Sequence, residues 1–519
     1  MASRRPFNVL RRSLWASALA LALPIAPARA LEEVVVELPL LDSTMTVRLK
    51  ELQSPEALLQ GDTKLAELDR ATDGRVGKAL VALFNHRLPL AVTKAASTSV
   101  GSPLLEQGLL LVSSFGTVEG RPADLSGETL EQTLRRAMAS APDGQPTLLQ
   151  VMKAIPGQRA RLNLSQAGVV LQRMLQQRQL ADRLLTRLAP APVATAAAAP
   201  SAATPGGRAV QSRTTLLPVP HRPQPLKLLV LQPQNQGNGR LVLISHGLWD
   251  SPSSFEGWGQ RLAAAGYTVV LPWHPGSDNN QQSEVLNGQA PPPSPQELAL
   301  RPLDLTAVID AIGSGALPTN GPVNTQRVVV LGHSWGATTS LLMAGLVPTD
   351  SALLRRCGSV NHPDRNLSWT LQCSWASAVK QAAIDDERII AVVAVSPPMS
   401  LLFPRDSGHR LNTRVLLVSG SRDWVVPPDP EAIRPLQDVD LQGHQLVLVK
   451  GGDHFNLRPR DDPQGGVLGP LMLAWTEAAF AAGPKVHPAP GVAVLLPPGP
   501  WGSAAMPMVD ASAALGSTR

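Results

Sequence analysis

An α/β fold, a mostly parallel sheet covered by helices on both faces and preceded by a small mainly helical unit, is what this sequence predicts. Three observations carry that expectation. Beyond residue 212, short apolar, β-branched runs alternate with helix-length patterns, as in a sheet buried on both sides. Residues 31–188 instead read mostly as helices, with a leucine-rich amphipathic pattern in "LSQAGVVLQRMLQQRQLADRLLTRL". Between the two lies "APAPVATAAAAPSAATPGG", an uncharged Ala/Pro/Gly tract that reads as a linker within 189–212.

The elements follow in chain order. The first 30 residues combine basic "MASRRPFNVLRR", apolar "LWASALALALPIA" and small-residue "ARA", the layout of an export signal ending at Ala30. "SRRPF" fits the twin-arginine route, and an ordinary secretory signal with an incidental arginine pair fits as well. The apolar run is short and interrupted by Pro24, so no stable membrane span is expected in the mature protein. After the strand-like "EEVVVELPL", the 31–188 unit shows helices such as "GETLEQTLRRAMASA". No cluster of chemistry-bearing residues stands out there, and its leucine-rich helices read as core.

Within 213–482 the strand candidates are residues 214–219, 226–231, 240–245, 267–271, 327–331, 389–395, 414–418 and 445–449. Helix candidates between them include "SFEGWGQRLAAAG", "SPQELALRPLDLTAVIDAIG" and "GPLMLAWTEAAFAA". Residues 347–387 fit no strand and read as an insertion. Residues 483–519 read as a poorly ordered low-complexity tail.

Charge and cysteine usage narrow the partners. The chain carries a net charge of +6, yet five of its arginines (Arg4, Arg5, Arg11, Arg12 and Arg29) lie in the export segment, which holds no acid. The remainder shows no basic cluster, so nucleic-acid binding is not expected. Cys357 and Cys373 are the only cysteines. In an oxidising compartment they would form one disulfide; the alternative is a pair of buried thiols. Two cysteines make a poor metal site and none of the histidines completes a zinc spacing, so no metal and no cofactor are expected.

The chemistry concentrates at "VVVLGHSWGATTS". Here a strand runs into Gly332-His333-Ser334-Trp335-Gly336 and then into a helix. Gly-x-Ser-x-Gly alone is weak, but at a strand-to-helix turn it becomes a nucleophile elbow, because only glycines tolerate the close backbone approach on either side of the serine. A serine needs a base, and the base needs an orienting acid. Asp423 follows one late strand and His454 follows the next, in the chain order such an elbow requires. Asp429, Asp406 and Asp453 are rival acids. An oxyanion formed at Ser334 needs donors: the N–H of Trp335, and one from His246-Gly247-Leu248-Trp249, with Leu248 first and Trp249 next. His246 and His333 read as braces, and His274 as a candidate pocket-wall residue.

Together, "LVLISHGLWDSPSSFEGWGQRLAAAGYTVVLPWHPGS", "RPLDLTAVIDAI", "VVVLGHSWGATTS", "VLLVSGSRDWVVPP" and "KGGDHF" resemble an α/β-hydrolase of the dienelactone hydrolase and platelet-activating-factor acetylhydrolase-like group. The 31–188 unit and "CGSVNHPDRNLSWTLQC" resemble a bacterial subgroup carrying an uncharacterised domain ahead of the hydrolase. The resemblance implies an eight-stranded sheet, a Ser334–His454–Asp423 triad, and Leu248 and Trp335 as oxyanion donors. Two departures matter. Dienelactone hydrolases use cysteine where this chain has Ser334, so their lactone chemistry does not carry over. Lipase-like relatives often have glycine at the position of Ala337, beyond the turn. The expected function is an exported serine esterase acting on a small-molecule or lipid ester. A silent binding protein, a peptidase and an acyltransferase are the alternatives.

Overall fold

The computed structural model describes residues 30–38, 43–193, 207–384, 386–404, 407, 413–438, 444–482, 495–497 and 499–516. The expected export signal, apart from Ala30, lies outside them, as do residues 194–206 of the linker and the rival acid Asp406.

The first unit has a small sheet as well as helices. Strands β1 (Glu33–Leu38), β2 (Ser43–Arg48), β3 (Gly116–Val118) and β4 (Arg159–Asn163) pair in the order β2-β1-β4-β3. Only β1 was expected. The others are short and rich in polar or charged residues, so they lack the alternation that marks a strand. Helices predominate around them, and their apolar core includes Leu31, Val34, Leu49, Leu52, Leu58 and Leu65. The long leucine-rich segment forms two helices, Leu164–Gln176 and Gln179–Arg187.

The second unit is a nine-stranded sheet. Its strands are β5 (Val210–Leu217), β6 (Leu226–Pro233), β7 (Arg240–Ser245), β8 (Thr268–Pro272), β9 (Asn324–His333), β10 (Ile389–Val395), β11 (Arg414–Gly420), β12 (Gln445–Val449) and β13 (Met508–Asp510). They run in the order β13-β12-β11-β10-β9-β7-β8-β6-β5. β8, β7, β9, β10, β11 and β12 are parallel, while β5, β6 and β13 pair antiparallel. Successive side chains of β9 serve opposite faces: Val328 and Val330 join one core cluster, Val329 and Leu331 the other. Helices Glu297–Gly313 and Trp335–Met343 cover the first face, and Glu256–Ala264 and Gly469–Ala481 the second. Along β6 to β12 water is excluded from both faces, so those runs are largely apolar and readable in the sequence; the edge strand β5, with Gln211, Ser212, Thr214 and Leu216 exposed, was read from its apolar end alone.

The ninth strand corrects the reading of 483–519 as a tail. Met508 and Val509 are buried in β13, and Trp501 and Leu496 pack inward with them. The side-chain amide of Gln445 donates to Leu496 O at 2.7 Å, and its Oε1 accepts from Leu496 N at 2.9 Å. The physical reason is that β12 is wholly buried and its open edge needs a cover.

The described residues of 347–387 form no strand. Helices Ser351–Arg356 and Ser368–Ser374 lie there, and Cys357 and Cys373 are joined by a disulfide with a Cα–Cα separation of 5.7 Å. This segment and the loop after β11 hold the first unit in place. Arg173 Nη1 donates to Val360 O at 3.1 Å, and Gln177 Nε2 donates to Pro363 O and Arg365 O. The Asp429 carboxylate accepts from the N–H groups of Leu180 and Ala181, the free donors at the start of helix Gln179–Arg187. The first unit therefore sits by the carboxyl ends of the strands, where sites form in open α/β sheets.

Candidate active site

Ser334 follows β9 directly and caps helix Trp335–Met343 with φ 55° and ψ −123°, a left-handed conformation that strains any residue with a Cβ. The flanking glycines make that turn possible. A Cβ on Gly332 would fall 2.0 Å from Gly336 O, and one on Gly336 would fall 2.0 Å from Ser245 O. The Ser334 N–H donates to Val395 O at 2.8 Å, tying the turn to the neighbouring strand end.

His454 stands beside this turn. Its Nδ1 donates to Asp423 Oδ2 at 2.9 Å, which leaves Nε2 unprotonated in the neutral ring and able to accept a proton. Asp423 is fully buried, and its Oδ1 accepts from Val425 N and Val426 N at 3.0 and 2.8 Å. Two backbone donors and one imidazole thus fix the carboxylate. Two of the rival acids, Asp429 and Asp453, are occupied elsewhere. Asp429 caps the helix of the first unit, and Asp453 Oδ1 accepts from Phe455 N and Asn456 N within its own turn. His333 braces the assembly: Nε2 donates to His454 O at 3.0 Å, with the two rings 4.8 Å apart. Burial pushes the His333 imidazole well below the usual histidine range, so it stays neutral.

The loop after β7 comes close to the serine: a Cβ on Gly247 would lie 3.2 Å from Ser334 Cβ. Among the described residues the N–H groups of Leu248 and Trp335 have no acceptor, whereas the Trp249 N–H is already given to Ser277 O at 2.8 Å. Leu248 and Trp335 therefore keep donors that an oxyanion could take, and Trp249 does not. Trp335 owes its free N–H to its place at the first helical position.

A buried polar cluster behind this loop was not found from the sequence. Arg301, fully buried, donates from Nη1 to His246 O at 2.8 Å, from Nη2 to Gly247 O at 3.2 Å, and from Nε to Ser277 Oγ at 2.9 Å. Its guanidinium lies 4.3 Å over the Trp335 ring. Burial draws this group down to about 9. Asp304 accepts from Arg222 and from His274 Nδ1. Burial would raise its carboxyl, but the bonds from His221, His274 and Arg222 outweigh that and hold it well below the usual range. His274 also bonds Ser245 Oγ at 2.9 Å and is fully buried, so it braces the loop from within the core. His246, likewise buried, donates from Nδ1 to Gly247 O and accepts from His274 N at Nε2. The only signal in the sequence was Arg301 and Asp304 among the apolar residues of helix Glu297–Gly313, where charged residues usually face water.

A model of the alpha/beta hydrolase family matches residues 241–503, just over half of the chain. The chain belongs to the alpha/beta hydrolase family. The match begins in β7 and ends at residue 503, short of β13. No curated protein matches the chain. Members of the family are generally hydrolytic enzymes acting on small molecules, and this hydrolase presents a serine, a histidine–aspartate pair and two free N–H donors at one sheet edge. Among the described residues no group of side chains could hold a metal ion, and no helix is long and apolar enough to cross a membrane.

Proposed function

We propose that the protein is an exported serine esterase that hydrolyses carboxylic esters through Ser334, His454 and Asp423. The observation that carries this reading is the 2.9 Å bond from His454 Nδ1 to the buried Asp423 carboxylate beside the strained Ser334 turn. In the reaction His454 Nε2 takes the Ser334 hydroxyl proton as Oγ attacks the ester carbonyl. Asp423 steadies the imidazolium, and the N–H groups of Leu248 and Trp335 receive the oxyanion, each worth roughly 3 kcal/mol in the transition state. The tetrahedral species collapses, His454 passes its proton to the departing alcohol, and an acyl-Ser334 remains. Water, deprotonated by His454, then attacks the acyl carbon, and His454 returns the proton to Ser334 Oγ as the acyl–oxygen bond breaks and the acid leaves. No cofactor enters this cycle.

The resemblance to the dienelactone hydrolase and platelet-activating-factor acetylhydrolase-like group supports an ester substrate, with the serine nucleophile separating this chain from lactone chemistry. The basic and apolar leader ending at Ala30 supports export. The Cys357–Cys373 disulfide suits the oxidising compartment that export would reach. A panel of p-nitrophenyl esters assayed beside p-nitroanilide peptides tests the reaction class. Ester turnover lost in Ser334→Ala, with peptides untouched, is the expected result; peptide cleavage with inert esters would overturn it.

A further inference from the structure

Two arginines outside the catalytic arrangement face one cavity without an acid. Arg173 and Arg365 are 6% and 4% exposed, and both line a cavity of about 140 Å³ between the first unit and the disulfide-closed segment. Arg173 gives one hydrogen bond, to Val360 O. Arg365 donates to the carbonyls of Cys357 and Ser359 and to Gln107 Oε1. Neither pairs with a carboxylate among the described residues; the adjacent Asp364 pairs with Arg434 instead. The contrast with Arg222 is plain, since that buried guanidinium has both Asp304 and Glu297. Two desolvated cations side by side are costly unless an anion joins them, and burial draws both guanidinium groups below their ordinary value.

The rest of the lining is the two amides Gln177 and Asn366 and the apolar Leu111, Val170, Met174, Leu367 and Trp424. Trp424 follows Asp423 in the chain and faces Phe455 at 6.5 Å between ring centroids, and Phe455 meets the His454 ring edge-on at 5.5 Å. Trp424, Phe455 and Leu367 are all exposed. A continuous apolar path thus leads from the candidate base to a cavity lined by two guanidinium groups.

We propose that this cavity is a substrate subsite for esters whose acyl chain ends in an anionic oxygen group, a carboxylate or a phosphate. The apolar chain lies along Phe455 and Trp424, and the anion meets Arg173 and Arg365, whose planar forks match either group. The first unit is then part of the substrate site. This inference rests on the esterase reading.

The test compares the full-length mature protein on p-nitrophenyl hydrogen suberate and on its neutral methyl ester, each measured on the same sample. Wild type is expected to favour the acid about tenfold in kcat/KM, through KM. Arg173→Gln should bring that ratio to near one, and Arg173→Lys should restore part of it. Equal kcat/KM for the two esters in wild type, or an unchanged ratio in Arg173→Gln, would overturn the subsite. If no ester is hydrolysed at all, the esterase reading fails, and the cavity is tested by binding alone. Saturable quenching of tryptophan fluorescence by octanoate or octyl phosphate, lost in Arg173→Gln, would sustain it and show which anion is held. No saturation with either would remove it.

Discussion

The guanidinium of Arg301 donates from Nη2 to the carbonyl oxygen of Gly247 at 3.2 Å. That carbonyl belongs to the same peptide unit as the Leu248 N–H. In a trans peptide the two bonds point in opposite directions, so holding the oxygen fixes the direction of the hydrogen. Hydrogen bonds from a cation and from His246 Nδ1 also polarise the unit and make its N–H a stronger donor. Through its contact with the Trp335 ring, the same guanidinium braces the residue carrying the second donor.

On the esterase reading, Arg301 is a positioning residue for the two N–H groups proposed to receive the oxyanion. Arg301→Met should lower kcat by roughly ten- to a hundredfold while KM stays within a few fold, because the lost alignment matters chiefly in the transition state. Affinity for a boronic acid that mimics the tetrahedral species should fall in parallel, and Arg301→Lys should recover part of it. Loss in KM alone, with the boronate bound as before, would contradict this role.

Gly336→Ala sets a methyl group where the Ser245 carbonyl already sits, 2.0 Å away, with backbone on both sides. The turn must open, costing more than about 3 kcal/mol and misplacing Ser334. A thermal melt lowered by many degrees, together with lost ester turnover, is the expected outcome. A protein of unchanged melting temperature and activity would show that the turn is not as tight as described.

Acid should weaken the fold through the buried histidines. Burial draws His274 down to about 4 in the folded protein, against about 6.5 when unfolded. Below pH 6.5 the unfolded chain takes up a proton that the folded one does not, so stability is full above that point. It is lost progressively towards pH 4, by about 3 kcal/mol for this group. His246, His333 and His444 are depressed in the same sense and add to the trend. Urea midpoints at pH 7.5, 6 and 4.5 measure it, and His274→Gln should flatten the slope. A midpoint that rises on acidification would contradict the assignment.

The disulfide closes a loop of about 17 residues, worth on the order of 3 kcal/mol in the chain-entropy model. The Cys357→Ser, Cys373→Ser double variant should melt several degrees lower. It should also lose preference for the anionic ester, because Arg365 lies within the loop. A double variant that keeps both would separate the bridge from the subsite.

Much of this was legible in the sequence, for physical reasons that also mark the limit. Val328 to Leu331 had to be apolar throughout because both faces of β9 are covered, so the strand announced itself. Ser334, Asp423 and His454 could be nominated because an elbow's backbone demands glycines and such a topology sets the chain order of the expected acid and base; the structure brings His454 and Asp423 to 2.9 Å of each other. Met508–Asp510 gave no such signal: three residues in a Gly/Pro-rich stretch become a strand only because β12 offers an edge. Arg301, Arg173 and Arg365 were missed for a related reason. A charged residue on a helix or loop reads as solvated until its surroundings are known, and only the fold reveals which guanidinium groups lie inside. Leu248 was preferred over Trp249 from the position of Gly247, but what distinguishes them is the Ser277 carbonyl, which comes from a separate loop.

The central claim is that Ser334 is the nucleophile, and covalent labelling tests it most directly. The mature protein is treated with a fluorophosphonate, digested, and the modified peptide identified by mass spectrometry, with Ser334→Ala and His454→Gln alongside. One adduct is expected, on Ser334, absent from Ser334→Ala and formed far more slowly in His454→Gln. A folded wild-type protein that takes up no probe, or an adduct on another residue that persists in Ser334→Ala, would contradict it.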